Sequence, residues 1–577
     1  MFVRKFYPIN LLLGLIFSFS LISININSQL RAQNSNKDQI YDHHEVMDDP
    51  YMPLINPKKS PAYKSRSSLF FTSQVNVDED GNNILGDAAN EPSIAVDPNN
   101  PDNIIIGWRQ FDNVASNFRQ AGVAYTNDGG ETWVNDGVIE PGVFRSDPVL
   151  GVNSNGEFFY NSLTTNSFDY WCNVFRSYNS GWQWDEGVLA QGGDKQWMVI
   201  DKTDSEGNGN IYSNWTSYYS YCYPNFFTRS TNNGDSYEDC VDIPGNPYWG
   251  TLNTGPDGEL YIAGTNGDGG IVVSRSDNAK DGGFIMWDML NTDIDLDGSV
   301  VSQVAVNPVG LLGQVWVDID RSNGSGRGNV YVCASVHRDM FNDPGDVMFT
   351  RSLDGGVTWE DPIRINTDEG FTNYSWFGTM SVAPNGRIDV IWLDTRDAVS
   401  YPYLSALYYS YSIDNGVTWS ENEKLSELFN PNEGYPNQDK MGDYFDMVSD
   451  NDGAHLAWAN TLNGEQDVYY GHITPWFVGV EENISSKSDF HLINYPNPFS
   501  ESTTIRYELE KNSEVNISIF DTYGKLIAVV KNENQNSGLH NIVFDSKGLN
   551  PGIYYCRISA GGKRDYQKII KTTNSVY

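Results

Sequence analysis

Basic residues are scarce in this chain. It has 37 lysines and arginines against 75 aspartates and glutamates, a formal net charge of −38, with acids and bases mixed along the chain. Nucleic acid is therefore not an expected partner, because binding its phosphates needs an excess of clustered cations. An anionic ligand would have to be held by local groups of arginines, since the whole molecule repels it.

Cysteine is also scarce, since five cysteines in 577 residues do not make a disulfide scaffold. At least one must stay unpaired within the chain. Cys172 and Cys222 each lie a few residues before a copy of the repeated motif described below, so we expect them to bond between neighbouring repeats. Cys333, in the stretch VYVCASV, is expected to be a small buried residue rather than a reactive thiol.

Long apolar runs are absent after the first part of the chain. Two basic residues precede an apolar run from Leu11 to about Ile24, and a polar stretch follows, which is the order of a secretory signal peptide. We expect cleavage near Ala32 or Gln33, so that residues 1–33 are the signal. A membrane anchor is the alternative, but the run is shorter than the roughly 20 apolar residues that a spanning helix needs. We expect no transmembrane segment in the mature chain, and no lipid anchor, because no cysteine follows the run closely.

A short motif with Ser or Thr, Asp or Asn, Gly and Trp at fixed offsets recurs at intervals of about fifty residues. Three copies are good, two are looser and one is stretched: TNDGGETW at 126–133, SLDGGVTW at 352–359, SIDNGVTW at 412–419, and the copies that begin at Ser177, Ser230 and Ser276. Each copy joins two alternating apolar and polar segments, so it predicts a hairpin turn. Glycine supplies a positive φ, the Asp or Asn side chain accepts bonds from turn amides, and we expect the Trp to pack back on its own hairpin.

Two apolar runs around a tight turn precede each copy, and there are seven such pairs against six copies of the motif. The seventh pair is followed only by DVYYGHI at 467–473, a third strand without a fourth. We expect SLFFTSQVNV at 68–77 to complete that sheet and close a ring. The pattern predicts an all-β chain, a propeller of seven blades followed by a small antiparallel β-sandwich. Six blades is the alternative, if one pair is an insertion.

The good copies of S-x-D-x-G-x-T-W resemble the Asp-box, or BNR, repeat of the sialidase-like propeller superfamily. The resemblance is specific for the fold and not for function, since the same box occurs in sialidases, other glycan-active propellers, sorting receptors and assembly factors. We therefore interpret the motif as scaffold.

Chain direction predicts which loops could hold a site. If the boxes join third to fourth strands, the loops between second and third strands and between blades lie on the opposite face, here called the long-loop face. Arginine, aspartate and aromatic residues are concentrated in these loops, and such side chains stack on sugars and orient hydroxyls or carboxylates. We expect this face to bind an extracellular glycan. The candidate ligand-binding residues are Asp112, Asp194, Lys195, Trp197, Trp249, Trp376 and Tyr401.

The resemblance to sialidases implies three arginines for a substrate carboxylate, a tyrosine nucleophile assisted by a glutamate, and an acidic acid/base residue. The candidates in the long loops are Arg109, Arg145, Arg338 and Arg396, with Tyr444 as nucleophile and Asp147, Asp394 and Asp443 as acids. The early RIP arginine motif of the family is missing, since Arg109 stands in GWRQF and Arg145 in FRSDP. The alternative is that neighbouring charges pair only to hold loops: Arg145 with Asp147, and Arg396 with Asp394 or Asp397.

The stretch DIDLDG at 293–298 has the opening of a calcium-binding loop, with Asp293, Asp295 and Asp297 as candidate ligands. Val304 occupies the twelfth position, where a glutamate is expected. The predicted fold requires no cofactor, and calcium is the one ion that the sequence suggests.

The C-terminal segment at 490–577 contains the alternating runs TTIRYEL, VNISIFD, HNIVFD and GIYYCRISA, which predict a small antiparallel sandwich. The order YPNPF, D-x-x-G, L-x-P-G-x-Y and KIIK resembles the C-terminal sorting domain of the type IX secretion system of Bacteroidota. The resemblance implies recognition by that secretion machinery, transport across the outer membrane, and then removal of the domain with release or surface attachment. A carbohydrate-binding sandwich is the alternative, but it lacks an obvious aromatic platform.

The predicted organisation is a signal peptide (1–33), an N-terminal linker (34–66), a propeller (67–475), a linker (476–489) and a sorting domain (490–577). We expect a secreted or surface-attached propeller that binds glycans. The alternatives are a glycoside hydrolase of the exo-sialidase kind or a polysaccharide lyase at the same face, and a protein-binding propeller.

Overall fold

The described residues fold into β-strands and turns, with no helix among them. The computed structural model describes residues 49–166, 169–217, 220–266, 269–288, 292–475, 490, 492–497, 499–509, 511–521, 525–561 and 563–572. Two compact units are present, and the first ends at Ile473. The predicted signal peptide and the linker at 476–489 lie outside the described residues.

The first unit is a ring of seven antiparallel sheets, numbered here as blades 1 to 7 in chain order. Six blades are formed by consecutive strands: Ala88–Val96, Ile104–Phe111, Gln120–Thr126 and Val138–Ile139 (blade 1); Ser146–Val152, Phe158–Thr165, Tyr170–Ser177 and Val188–Leu189 (blade 2); Trp197–Ile200, Ile211–Asn214 and Phe227–Ser230 (blade 3); Leu252–Thr254, Leu260–Thr265, Ile271–Ser276 and Thr292–Ile294 (blade 4); Trp316–Ile319, Val330–Arg338, Asp343–Ser352 and Ile363–Arg364 (blade 5); Ser375–Val382, Ile388–Asp394, Ala406–Ser412 and Glu423–Lys424 (blade 6). The first strand of each blade contacts the first strands of its neighbours, and blade 7 contacts blade 1, which closes the ring.

Blade 7 is completed from the N-terminal side of the chain, as predicted. Its strands Asp446–Ser449, Ala454–Asn460 and Asp467–Ile473 are followed by Phe70–Gln74, with Thr72 opposite Gly471. Seven blades are therefore confirmed. A fifth strand, Lys64–Arg66, extends the sheet.

Part of the segment predicted to be an N-terminal linker is also structured. Lys58–Pro61 pairs with Asn82–Leu85, and Lys64–Arg66 belongs to blade 7. A further two-stranded sheet, Ser302–Val304 with Asn307–Leu311, lies between blades 4 and 5 in the chain.

Each predicted hairpin motif follows the third strand of a blade, and its hydrogen bonds match the predicted turn chemistry. In the copy of blade 6, Ser412 Oγ donates to Asp414 Oδ1 at 2.9 Å, and both the amide and the hydroxyl of Thr418 donate to the same carboxylate, at 2.9 and 2.6 Å. These bonds hold the pKa of Asp414 below its ordinary value, although burial alone would raise it. The motif is therefore a closed turn with a local partner for its carboxylate.

Three motif tryptophans pack on the preceding blade, so the expectation that each packs on its own hairpin is wrong for them, whereas Trp184 of the copy at Ser177 lies 5.8 Å from Tyr160 of its own blade 2. The ring of Trp133 lies 5.6 Å from Tyr470 of blade 7, and that of Trp419 lies 5.0 Å from Phe349 of blade 5. Trp287, between the third and fourth strands of blade 4, lies 5.4 Å from Phe227 of blade 3. Each such tryptophan therefore fills the wedge between two sheets, where more apolar surface is available than on a two-stranded turn.

The predicted Cys172–Cys222 disulfide is also wrong, because Cys222 bonds to Cys240 within blade 3. Asn225 Nδ2 also donates to the carbonyl of Cys240 at 2.8 Å. The loop after the second strand of blade 3 is therefore bonded to the segment that follows the third strand. Cys172 is a buried thiol. Cys333 is fully buried, as predicted.

The second unit has two antiparallel sheets with a shared apolar core. Their strands are Ile493–Tyr495, Ser502–Leu509 and Gly538–Asp545 in one sheet, and Leu526–Gln535, Ser513–Asp521, Gly552–Ala560 and Lys563–Lys571 in the other. The four strands predicted from the alternating runs are present.

Candidate functional site

A cluster of buried charges lies where the first strands of blades 1, 2, 3 and 7 begin. We call it the axial cluster; its members are Glu91, Arg109, Asp147, Asp194, Lys195, Lys440 and Asp443. Lys195 Nζ lies 2.9 Å from Asp443 Oδ2, 3.3 Å from Asp194 Oδ1 and 3.7 Å from Asp147 Oδ2. Blades 3 and 7 are not neighbours in a ring of seven, so the contact between Lys195 and Asp443 places the cluster on the central axis.

A second cation joins blade 1 to the same group. Lys440 Nζ lies 2.7 Å from Asp443 Oδ2 and 3.2 Å from Glu91 Oε1, and Arg109 Nη2 lies 3.0 Å from the same Glu91 oxygen. Asp443 Oδ1 also accepts a bond from the amide of Leu311 at 2.9 Å. The cluster is thus a continuous network rather than a set of separate ion pairs.

Backbone conformation helps to aim these side chains. Glu91, Asp147 and Lys195 have φ values of 47°, 47° and 56°, in the left-handed region that L-residues rarely adopt. A β-bulge interrupts the blade 1 ladder between Asn90 and Ser93, and bulges of this kind redirect a side chain from its strand. Equivalent left-handed residues start the inner strands of blades 4 and 6, at Trp249 and Phe377.

Three aromatic side chains, which we call the aromatic floor, belong to the inner strands or the residues just before them: Trp197, Trp316 and Tyr444. Trp197 is two residues after Lys195, and Tyr444 directly follows Asp443. The ring of Trp197 meets Tyr444 at 5.1 Å and Trp316 at 5.2 Å, both edge to face. The Tyr444 hydroxyl donates to the carbonyl of Pro148 at 2.8 Å. Burial, with Glu91 and Asp147 nearby, raises the pKa of Tyr444 well above its ordinary value, so its hydroxyl stays protonated.

Burial and neighbouring charges separate the pKa values of the carboxyl groups in the axial cluster. Burial raises the pKa of Glu91 to about 8, although Arg109 and Lys440 oppose it. Burial also raises the pKa of Asp194 to about 6. Burial alone would raise the pKa of Asp147 as well, but the positive charges of Lys195 and Arg109 outweigh burial and hold this pKa below its ordinary value. The cluster therefore contains one carboxyl that is protonated near neutral pH beside one that is ionised.

The sequence-predicted site residues divide between two places. Arg109, Asp147, Asp194, Lys195, Asp443 and Tyr444 lie in the axial cluster or its floor. Arg338 and Asp394 end the second strands of blades 5 and 6, and Arg396 lies two residues after Asp394. Arg145 lies apart from both sets of contacts, since its Nε donates to Glu140 at 3.0 Å and its Nη1 to Asn173 at 3.1 Å. The four candidate arginines therefore have separate partners and no shared carboxylate.

The blade 5 and 6 residues form what we call the peripheral network: Arg338, Asp346, Arg364, Asn366, Asp368, Asp394 and Arg396. Asp346 accepts bonds from Arg338 Nη1 at 2.9 Å and from Asn366 Nδ2 at 2.7 Å. Asn366 Nδ2 also donates to Asp368 at 2.6 Å, and Arg396 Nη2 donates to Asp394 at 2.6 Å. The pairing of Arg396 with Asp394 agrees with the loop-holding alternative, whereas Arg145 pairs with Glu140 instead of Asp147.

Three tryptophans expected to stack on a ligand are buried core residues. Trp197, Trp249 and Trp376 are each at most 5% exposed, so no ring face is open to a sugar in this conformation. Tyr401 is exposed, and its hydroxyl accepts a bond from Asn432 Nδ2 at 3.1 Å. Asp112 is half-buried and accepts a bond from Gln120 Nε2 at 2.9 Å.

Two members of the axial cluster, Glu91 and Lys440, were missed from the sequence, and so was Arg119 beside them. Arg119 donates to Ser146 Oγ at 3.1 Å, and burial lowers its pKa to about 10. A comparison of the inner strands would have found Glu91, because NEPSIAV in blade 1 and SDPVLGV in blade 2 both place an acid before a proline. No local signal marks Lys440.

In the predicted calcium loop, two of the three aspartates already bond to other groups of this chain. Asp295 Oδ1 accepts the amide of Asp297 at 2.7 Å, and the Asp297 carboxylate pairs with Arg338. The side chain of Asp293 lies outside the described residues. Within the described part of the chain, no three His, Cys, Asp or Glu side chains are grouped to hold a metal ion. Calcium binding here stays a prediction.

The C-terminal unit can be assigned. Residues 494–572 match the secretion system C-terminal sorting domain family. This unit is a type IX sorting domain. The sorting domain indicates interaction with the type IX machinery and export to the cell surface or the extracellular space, as the sequence predicted. No helix suited by length and apolarity to crossing a membrane is found in the residues described above.

The chain is also distantly similar to solved structures. A protein of unknown function from Dyadobacter fermentans is 12% identical, with 71% of this chain and 98% of that chain covered and a TM-score of 0.40. A polysaccharide lyase described as an ulvan lyase is 12% identical, with 67% and 94% covered and a TM-score of 0.36. A mutant Trypanosoma rangeli sialidase that displays trans-sialidase activity is 10% identical, with 91% and 90% covered and a TM-score of 0.35. No curated protein matches the chain in sequence.

Proposed function

We propose that the propeller is an exported module that binds an extracellular glycan at its long-loop face, over the axial cluster. The observation that supports this most directly is the gathering of charges from four parts of the ring at one end of the axis. A buried ion pair rarely stabilises a fold more than apolar packing would, because each charge loses its hydration. Recognition of a polar ligand explains the cluster better than folding does.

The chemistry of the cluster suits sugar hydroxyls. It presents carboxylate, ammonium and guanidinium groups in one connected network, so donors and acceptors are fixed before a ligand arrives. The side chains of Asp194 and Lys440 keep 5% and 3% exposure. These two groups are the first of the axial cluster that a glycan above the axis would reach.

The test is binding of the full-length secreted protein to a panel of sialosides and of algal and host polysaccharides, followed by affinity electrophoresis. Asp194→Asn keeps the side-chain shape and removes its charge, so we expect about a tenfold loss of affinity for the bound glycan. Asp257→Asn is the matched control, since Asp257 is 84% exposed in the turn between the first two strands of blade 4. Binding to no glycan, or equal binding by both variants, would contradict the proposal.

A glycoside hydrolase or polysaccharide lyase at the same face is the second candidate. It is favoured by the two carboxyl groups whose pKa values are driven apart, with Glu91 at about 8 and Asp147 held low. Such a pair can supply a general acid and an ionised partner at one pH. Mass spectrometry of the supernatant decides between the two functions, since an enzyme releases sugar and Glu91→Gln should then abolish release while binding persists.

A further inference from the structure

The long-loop face of blades 5 and 6 carries a second group of ring side chains, separate from the axial cluster. We call it the aromatic arc; its members are Phe341, Phe371, Tyr374, Tyr401 and Tyr403. Phe341 lies in the turn between the second and third strands of blade 5, and Phe371 in the connection from blade 5 to blade 6. The two phenyl rings are within 8° of parallel, with centroids 5.6 Å apart. Tyr403 meets Tyr374 at 6.4 Å and Tyr401 at 5.3 Å, and Tyr374 is three residues after Phe371, so the chain links the phenyl pair to these tyrosines of blade 6.

Three of the five rings of the arc are open to solvent, and Tyr374 and Tyr403 are half-buried against the core. Phe341, Phe371 and Tyr401 are 40%, 51% and 38% exposed. Phenyl rings that stack on each other at the tips of two different loops cover only part of their apolar surface. A group of large rings left in water on one face indicates a surface that binds something.

The peripheral network holds the arc in place. The guanidinium of Arg338 lies 4.4 Å from the centroid of the Phe341 ring, and the same side chain donates to the buried carboxylate of Asp346. Asn373, two residues after Phe371, donates to Asp368 at 3.1 Å. The Tyr401 hydroxyl is fixed by Asn432. The rings are therefore ordered before binding, which lowers the entropy lost on association.

We propose that the aromatic arc binds a chain of neutral sugars, as a second glycan subsite distinct from the axial cluster; this rests on the proposed glycan-binding function. The rings offer flat apolar faces for pyranose rings, and the carboxylates, amides and guanidiniums beside them offer partners for hydroxyls. The arc spans two blades, so a polysaccharide fits it better than a single sugar.

Local charge selects a neutral chain over an anionic one. The arginines of the peripheral network are already paired with carboxylates: Arg338 with Asp297 and Asp346, Arg364 with Asp346, and Arg396 with Asp368 and Asp394. These carboxylates outnumber the guanidiniums, and the whole chain has a net charge of −38. A uronate or sulfate group would therefore meet an unfavourable potential at the arc.

The experiment is affinity electrophoresis of the full-length protein in gels that contain soluble neutral polysaccharides (a β-glucan, a xyloglucan and a galactomannan) or anionic ones (alginate and polygalacturonate). The variant is Phe341→Ala with Phe371→Ala, both at exposed positions, so its unfolding transition should match that of the wild type. Phe284→Ala is the matched control, because Phe284 is an exposed phenylalanine, at 86%, on the opposite face, in the turn after the third strand of blade 4. We expect at least one neutral polysaccharide to retard the wild type and the control, and the double variant to bind it at least tenfold more weakly.

Three results would overturn the inference: no retardation by any neutral polysaccharide, retardation of the double variant equal to that of the wild type, or an arc-dependent protein partner without glycan binding. In the first case, retardation by alginate or polygalacturonate would leave the proposed function of the propeller standing. If Asp194→Asn weakens glycan binding and the double variant does not, the proposed function stands and the aromatic arc is not a glycan subsite. If no glycan of either kind binds, both proposals fail together.

Discussion

Lys195 is a buried cation of the propeller interior. Its side chain has no exposed surface and lies between three carboxylates, of which those of Asp147 and Asp443 are also fully buried. These acids raise the pKa of Lys195 well above its ordinary value and outweigh the effect of burial, so the ammonium stays charged. Removal of this one charge would leave buried carboxylates without a counter-ion.

We expect Lys195→Met to lower the free energy of unfolding by about 3–5 kcal/mol, because it leaves carboxylates unpaired in the interior. Lys195→Met with Asp443→Asn should recover part of that loss, since it removes one stranded charge. Lys424→Met is the control: Lys424 makes a contact of 2.7 Å with Asp397, shorter than any of Lys195, but both side chains are more than a third exposed. Lys424→Met should lower the free energy of unfolding by no more than about 1 kcal/mol. Urea unfolding measures all three, and equal losses for the two lysines would contradict the account.

Asp446 gives a prediction about pH. Its Oδ2 accepts the hydroxyl of Ser93 at 2.6 Å and the amide of Ile94 at 3.0 Å, and burial raises its pKa to about 7 from an ordinary 3.8. The folded state therefore binds this proton more tightly than the unfolded state between those two values, and stability falls as pH rises through them.

We expect Asp446→Asn to remove that fall, because its amide oxygen accepts the same two bonds and cannot ionise. Relative to the wild type, the free energy of unfolding of the variant should rise by up to about 4 kcal/mol between pH 4 and pH 7. Urea midpoints at several pH values test this. Parallel stability profiles for the two proteins would show that Asp446 does not titrate in this range.

At this scale the sequence predicts residue types better than partners. Asp147, Lys195 and Asp443 were predicted as site residues because they lie in charged loops, and they meet at the axis. Their contact could not be predicted, because it joins blades 3 and 7 and depends on the number of blades and on the bulges that begin the inner strands. Glu91 was missed because a single acidic residue within an apolar strand is ordinarily expected to lie at the edge of a sheet.

The hairpin motif is the element in which local sequence decides most. Gly416 has a φ of 79°, and a Cβ at this position would lie 2.6 Å from the ring of Phe349 in blade 5. The glycine is therefore needed both for the turn and for the approach of one blade to the next.

We expect Gly416→Ala to destabilise the propeller by about 1–3 kcal/mol more than Gly81→Ala, because the alanine must also displace Phe349. Gly81 is the matched control, with a φ of 78° and nothing within 4 Å of the added Cβ, so it isolates the backbone cost of about 1 kcal/mol. Thermal unfolding compares the two. A similar loss for both would mean that only backbone conformation matters at the turn.

The turn itself was predictable because its hydrogen bonds join residues four or fewer positions apart, as from Thr418 to Asp414. The packing of Trp419 was not, because its partner Phe349 belongs to another blade and lies far away in the sequence. The disulfide failed for a related reason: Cys240 lies outside the third strand of blade 3, and its proximity to Cys222 depends on how the outer segment returns to the sheet.

On the scale of the whole molecule, the ring depends on one strand from the N-terminal side. Phe70–Gln74 supplies the fourth strand of blade 7, and the Thr72 hydroxyl donates to the carbonyl of Tyr470 at 2.7 Å. The prediction of this closure succeeded because the seventh unit lacked a fourth strand and an unassigned alternating run was available.

We expect a chain that starts at Asp78 to lose cooperative unfolding and to aggregate, because Asp467–Ile473 then becomes an unpaired edge strand. A chain that starts at Ser67 keeps Phe70–Gln74 and should unfold as the longer protein does. A synthetic peptide of residues 67–77 should restore a single transition to the shorter chain. The same melting curve for both truncations would contradict the role of the closing strand.

Closure by this strand also sets the order of events during synthesis. Phe70–Gln74 leaves the ribosome early with only Lys64–Arg66 beside it, and its partner in blade 7 is not complete until Ile473 has been made, whereas the sorting domain that begins at residue 494 follows immediately. Pairing between such distant segments is slow, since a long stretch of chain must be ordered first. A prematurely terminated product would therefore lack both the closed ring and the export signal, so the cell would not send an open, aggregation-prone propeller to its surface.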